Sequence, residues 1–377
     1  MADALLRPLA LCIALLAPSA ALAAPLCEDR SAELQAQVAL CEQAFAAATT
    51  PDDAAVALGY KAEALRLLDR LDEATDALHE ALRLAPLNAW YWVELGNVRS
   101  DAEDPAGAVA HYSTAINLDP RNEYALLNRA EAWWKLNAPD RCIADSSPVL
   151  EDKPEDPWAN LVQGRCLTAL GRAEEGLAHL DRALADDAAS VPARLGRISA
   201  LLALGRAEEA LTAAEEALTD AAEDDAWVRE ELQMLALDAV SRSQSLEDTL
   251  ARADSLAADY PDNLTIPAVK TRVLTRAGRL DEAQTASAPL REAEAAGTSM
   301  RGAFHDALGQ LDLARAETGA AARHFAMAMA LDPALTRLYA RTLSELGFLP
   351  LTASRHDVTQ ALRRCLDARD KDCRLGS

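Results

Sequence analysis

Six histidines, 60 acidic side chains and seven cysteines are the residues of this chain that could do chemistry. Catalysis needs such groups at spacings that make them converge. His79-Glu80 opens a zinc-helix signature, but Arg83 stands where H-E-x-x-H requires its second histidine. There is no G-x-x-x-x-G-K-[ST] loop to cradle phosphate and no G-x-S-x-G turn to present a nucleophilic serine. The histidines, His79, His111, His179, His305, His324 and His356, are scattered. Carboxylate pairs such as Glu174-Glu175 and Glu208-Glu209 read as exposed helix starts, where negative charge meets the helix dipole. The expectation is a chain with no catalytic residues, no metal ligands and no cofactor, hence not an enzyme.

The cysteines read as structural. No C-x-x-C occurs, so neither dithiol redox chemistry nor a zinc knuckle is indicated. Arg7, the apolar run from Pro8 to Ala17 and the small-x-small triplet Ala21-Leu22-Ala23 have the three parts of a secretory signal peptide. Leu26 stands where a lipobox before Cys27 would need Gly or Ala, so lipidation is not expected. Loss of the leader removes Cys12 and leaves an even set: Cys27, Cys41, Cys142, Cys166, Cys365 and Cys373. Six cysteines allow 15 connectivities; neighbour pairing, 27 with 41, 142 with 166 and 365 with 373, closes the shortest loops. Such bridges belong to an oxidising compartment. No later stretch is apolar enough to span a bilayer, so the expected location is the bacterial periplasm.

Those residues must be held by helices. The 377-residue chain is 50% hydrophobic but only 4% aromatic, with 15 glycines and 17 prolines, a composition that favours alanine-rich helix over sheet, collagen or linker. Its formal charge of -23 repels phosphate backbones and anionic head groups, which excludes nucleic acid as a partner. Self-comparison finds a period of 34 residues: blocks 55–88, 89–122, 123–156, 157–190 and 191–224 align without a gap. In the second block Trp92, Leu95, Gly96, Ala108, Tyr112, Ala115 and Pro120 occupy positions 4, 7, 8, 20, 24, 27 and 32. The third is poorer, with Ser146 and Val149 at positions 24 and 27, and Ser146-Ser147-Pro148 is expected to kink its second helix. After Asp224 the register slips by five residues; worn blocks follow at 230–263 and 264–297 and a sharp one at 302–335.

This pattern resembles the tetratricopeptide repeat. The resemblance implies an all-α solenoid, a right-handed superhelix of helix-turn-helix units with a concave groove lined by the first helices. The expected organisation is a signal peptide at 1–23, an N-terminal capping helix within 24–54, five in-register repeats over 55–224, further partly degenerate repeats over 225–335, and a C-terminal helical cap at 336–377. Leu34, Val38 and Phe45 are expected to face the stack, and Trp227 and Val228 to be packed beside the acidic bend at 223–225.

In the family, positions 2, 5, 6, 9 and 12 of each first helix face the groove. By that register the partner-binding residues are Trp90, Asn97, Tyr124, Asn128, Glu131, Trp158 and Arg165, and half of the chain's aromatic residues lie between Trp90 and Trp158. Flat rings beside amide or guanidinium groups suit a bound peptide. Asn97 and Asn128 match the asparagines of the family's carboxylate clamp, but Val93, Trp158 and Val162 stand where its basic residues belong. The implied function is a non-catalytic scaffold binding protein or peptide in the periplasm or cell envelope. The alternative is a structural envelope protein whose segment Leu338 to Cys373 is a worn peptidoglycan-binding module, giving cell-wall association; that module's Asp-Gly turn is missing between Leu349 and Val358.

Overall fold

The computed structural model describes residues 27, 33–222, 225–349 and 355–367. The leader at 1–23, Cys12, Glu223, Asp224 and Cys373 lie outside the described residues. Among the described residues twenty helices follow one another: α1 Leu34–Ala47, α2 Pro51–Leu67, α3 Leu71–Leu84, α4 Ala89–Asp101, α5 Pro105–Leu118, α6 Glu123–Lys135, α7 Pro139–Asp152, α8 Pro157–Ala169, α9 Ala173–Asp186, α10 Val191–Ala203, α11 Ala207–Asp220, α12 Ala226–Ser243, α13 Leu246–Asp259, α14 Thr265–Arg276, α15 Leu280–Ala286, α16 Ala288–Ala295, α17 Gly302–Ala314, α18 Thr318–Leu331, α19 Pro333–Glu345 and α20 Arg355–Asp367. No strand occurs among the described residues. The chain divides into two compact units, residues 1–132 and 133–377, the division falling inside α6.

Most hairpins share elements of one local chemistry. Several first helices start on polar caps: Thr50 Oγ1 accepts from Asp53 N at 3.1 Å, and Asp156 Oδ1 from Ala159 N at 2.8 Å. Seven of them end at position 15 with one left-handed residue, namely Asp69, Glu103, Asn137, Gly171, Gly205, Gly278 or Ala316, while α12 ends on the extended Gln244. The next amide then reaches back across the turn, as Arg70 N does to Leu65 O at 2.9 Å and Arg206 N to Leu201 O at 2.9 Å, which satisfies an orphan carbonyl. Arg70, Arg172, Arg206 and Arg279 immediately precede second helices and fork onto Glu73, Glu175, Glu209 and Glu282 three residues on, at 2.5–2.7 Å. These hydrogen bonds hold all four carboxyls below their ordinary pKa.

Packing inside each hairpin follows residue size. A Cβ on Gly96 would meet the Tyr112 ring at 2.3 Å, one on Gly164 the Leu180 Cγ at 2.7 Å, and one on Gly309 the Phe325 ring at 2.8 Å. Position 8 is therefore small because the bulky residue at position 24 occupies its space. Tyr112, Leu180 and Phe325 are all buried. In the third repeat Ser146 replaces that bulk; its hydroxyl bonds Cys142 O at 2.9 Å, and the disulfide Cys142–Cys166 ties α7 to α8 beside it. Helix α7 continues through Pro148, with Ser147 Oγ bonding Ile143 O at 2.7 Å. Cys27–Cys41 is the other local bridge. Cys365 is buried and disulfide-bonded.

Several side chains depart from expectation. On α1 the buried stripe is Gln37, Val38, Cys41 and Ala44, while Phe45 is exposed, because the Cys27 bridge sets the helix's rotation. Trp227 is 66% exposed and only Val228 beside it is buried. The five-residue slip is absorbed by lengthening a first helix: α12 has 18 residues where α10 has 13. In the block 264–297 the second helix is broken into α15 and α16 at Ser287, just before Pro289. Helices α19 and α20 bury Tyr339, Leu343, Val358 and Leu362 against Phe325 and Met329, closing the last hairpin's apolar face. Within the second unit the chain also meets itself at long range: Asn137 Nδ2 donates to Leu331 O at 3.4 Å, and the Arg337 guanidinium to Ala169 O.

Candidate functional site

In the first unit the predicted residues lie on α4 and α6. The Trp90 ring is half-buried, 4.9 Å from that of Tyr60, and would collide at 2.5 Å with a Cβ on Gly59. Trp90, expected on the groove face, is thus an inter-repeat packing residue. Asn97 is held at both ends: its Nδ2 donates to Glu94 Oε1 at 3.2 Å, and Tyr112 OH donates to its Oδ1 at 2.8 Å. Glu94 in turn lies 3.6 Å from Arg66 Nε, and Arg66 bonds Asp101 at 2.7 Å. Burial raises the Glu94 carboxyl above its usual pKa in spite of Arg66. An asparagine so occupied is not a ready clamp for a terminal carboxylate. Tyr124, by contrast, is 70% exposed, with Asn128 and Glu131 half-buried further along α6.

In the second unit Trp158 and Arg165 are half-buried on α8. The Arg165 guanidinium stacks 3.5 Å from the Trp134 ring centroid, a cation–π contact. Trp133, at position 11 of its block, is half-buried, and Arg141 covers its ring at 4.6 Å. Sequence reasoning passed over Glu94 and Trp134. Both were legible, since they stand at positions 6 and 12, two of those that face the groove in the family. It also passed over a cleft of about 1200 Å³ in the second unit, lined by Tyr260, Asn263, Lys270, Arg279 and Glu282 among others.

The histidines are less scattered in space than in sequence. His111 stacks on Trp92 at 5.9 Å and His179 Nδ1 donates to Asn160 Oδ1 at 2.7 Å, and both histidines are half-buried. Burial holds both below the ordinary imidazole pKa. His305 and His324 are buried and come together. No helix among the described residues is long and apolar enough to cross a membrane.

No protein-family profile matches the chain and no curated protein matches it. Solved structures do. The type IV pilus biogenesis factor PilW is 18% identical, with 56% of this chain and 96% of that one covered and a TM-score of 0.50. A tetratricopeptide repeat protein from Parabacteroides merdae is 16% identical over 81% of this chain and 96% of its own, at a TM-score of 0.47. Pseudomonas aeruginosa pilF is 15% identical over 57% and 96%, at 0.48. Identities this low show a shared fold alone. That fold is the all-α solenoid of paired helices. Its repeating unit here is a helical hairpin of the tetratricopeptide type of fold, with small residues at positions 8, 20 and 27 and bulk at 24.

Proposed function

We propose that this protein is an exported, non-catalytic scaffold of the bacterial periplasm that binds protein or peptide partners on the faces of its first helices. The observation that carries the reading is the face of the first unit, where exposed Tyr124 stands on the same helix as Asn128 and Glu131, one repeat beyond Trp90 and Asn97. Large rings beside amides and carboxylates give an extended peptide apolar contact and hydrogen-bond partners. In the second unit Trp158, Arg165 and Trp134 carry the same register. Two disulfides between sequence neighbours support an oxidising compartment.

Photo-crosslinking in living cells tests this directly. A benzophenone side chain at position 124 is expected to capture a defined partner that the same group at Trp227, equally exposed, does not. Identical capture from both positions would remove the case for the face. Cell fractionation with mass measurement of the purified chain tests export, the expected product beginning at Ala24.

A further inference from the structure

The second unit holds a polar cluster that peptide binding does not use. The break at Ser287 re-aims the chain so that α16 delivers Arg291 and Glu294 to the hairpin α17/α18, where His305, Asp312 and His324 stand. His305 is 2% exposed, His324 5% and Asp312 0%. His324 Nδ1 lies 2.6 Å from Asp312 Oδ2, and Asp312 Oδ1 takes a 2.6 Å hydrogen bond from Arg291. The other ring nitrogen, His324 Nε2, lies 3.1 and 3.2 Å from the two Glu294 oxygens. His305 Nδ1 lies 3.7 Å from Glu294 Oε1, and the two imidazoles stack at 6.0 Å.

Two accounts of this cluster compete. A doubly protonated His324 would satisfy both carboxylates, yet it leaves His305 Nδ1 buried with no hydrogen-bond partner. A cation at the centre would engage all three residues. Ligand atoms of Glu294, His305 and His324 lie within 4.8 Å of one another. Donors about 2.0–2.1 Å from a tetrahedral ion stand roughly 3.3 Å apart, and the spacings of Glu294 Oε1 to His324 Nε2 and to His305 Nδ1, 3.1 and 3.7 Å, bracket that value. Asp312 sits behind His324 as the carboxylate that fixes a ligating imidazole's tautomer and orientation. Glu294 keeps 32% of its side chain exposed, which gives an ion a way in and an open fourth position.

We infer that Glu294, His305 and His324 bind one divalent transition-metal ion, with Asp312 orienting His324. Two imidazoles and one carboxylate suit zinc, and cobalt as its spectroscopic substitute, better than the all-oxygen demands of calcium or magnesium. Bound there, the ion ties α16 to α17 and α18 across the broken helix.

The test uses the full chain, stripped with chelator and titrated with Co²⁺, then Zn²⁺, at pH 7.5. Expected are one Co²⁺ per chain with the visible absorption of a four-coordinate site, its displacement by one equivalent of Zn²⁺, and a raised melting temperature with Zn²⁺. Asp312→Asn is expected to weaken binding about 10–100-fold, and Glu294→Gln and His305→Gln to abolish the visible band. A folded wild-type chain that gives no band and no stoichiometric binding overturns the proposal. So does undiminished binding by Glu294→Gln, whose partly exposed side chain lets the variant fold even if His305→Gln does not. Loose cation binding to a chain of charge -23 would leave these variants indistinguishable from the wild type, and that result overturns the proposal too.

Discussion

Glu94 shows how one side chain on the proposed binding face is governed by burial rather than by its partners. The residue is 7% exposed, and burial raises its pKa although Arg66 stands close by. A carboxyl with a folded pKa above its unfolded value keeps the folded state protonated for longer, so stability falls as pH rises from the unfolded value, about 4.3, through the folded one. Glu94→Gln keeps the shape and the bond to Asn97 but removes that loss. Urea midpoints of variant and wild type are therefore expected to coincide near pH 4 and to separate in the variant's favour toward pH 7; separation in the wild type's favour toward pH 7 would mean that Arg66 outweighs burial. Trp90 and Tyr124 should part company in the same way. Trp90→Ala opens a hole against Gly59 and is expected to cost about 2 kcal/mol or more, whereas Tyr124→Ala, on a side chain 70% exposed, leaves the melting temperature near wild type and lowers only partner capture. The sequence put both rings on one face by register alone. Which of them is anchored in the neighbouring repeat depends on the missing side chain of Gly59, a contact across 31 positions that no local pattern encodes.

The helical hairpin turns on one left-handed residue, and the repeats differ in what they place there. Gly205 has a φ of +73° with nothing within 4 Å of its would-be Cβ, while Glu103 and Ala316 hold φ of 55° and 62° with a side chain attached. That conformation costs an L-residue roughly 1–2 kcal/mol, against roughly 0.5–1 kcal/mol of extra chain entropy for glycine. Ala316→Gly and Glu103→Gly are therefore expected to raise stability by up to about 1 kcal/mol and Gly205→Ala to lower it by about 1 kcal/mol, as read from denaturant midpoints at constant slope. Gains from Gly205→Ala would show that the turn relaxes. Most of the helix pairs were legible because small residues at positions 8, 20 and 27 and bulk at 24 recur at a fixed period. The sequence also carried the break before Pro289, though not its consequence, because a shared period says nothing about where a severed half-helix will point. His305 and His324 looked unrelated for that reason: they are 19 residues apart, on opposite members of a hairpin, and Glu294 reaches them only because α16 is turned.

For the whole molecule the dominant physical fact is charge. With 60 acidic against 37 basic side chains, the chain carries -23, a net field that no single groove residue could reverse. Many of the cations are already committed, as in the forks of Arg70, Arg172, Arg206 and Arg279 onto their own helices. A partner drawn to this surface is therefore expected to be basic, steered by long-range attraction before the aromatic face makes contact. That order of events has a measurable signature, since exposed charges are screened over about 10 Å at 0.1 M salt and about 3 Å at 1 M, while contact with Tyr124 is not. Raising NaCl from ~50 mM to ~500 mM should slow association at least tenfold and leave the dissociation rate nearly constant. With the partner captured at position 124 in hand, surface plasmon resonance at the two salt concentrations separates the rates. An association rate indifferent to salt would mean that the acidic surface serves solubility alone, and that recognition is apolar from the first encounter.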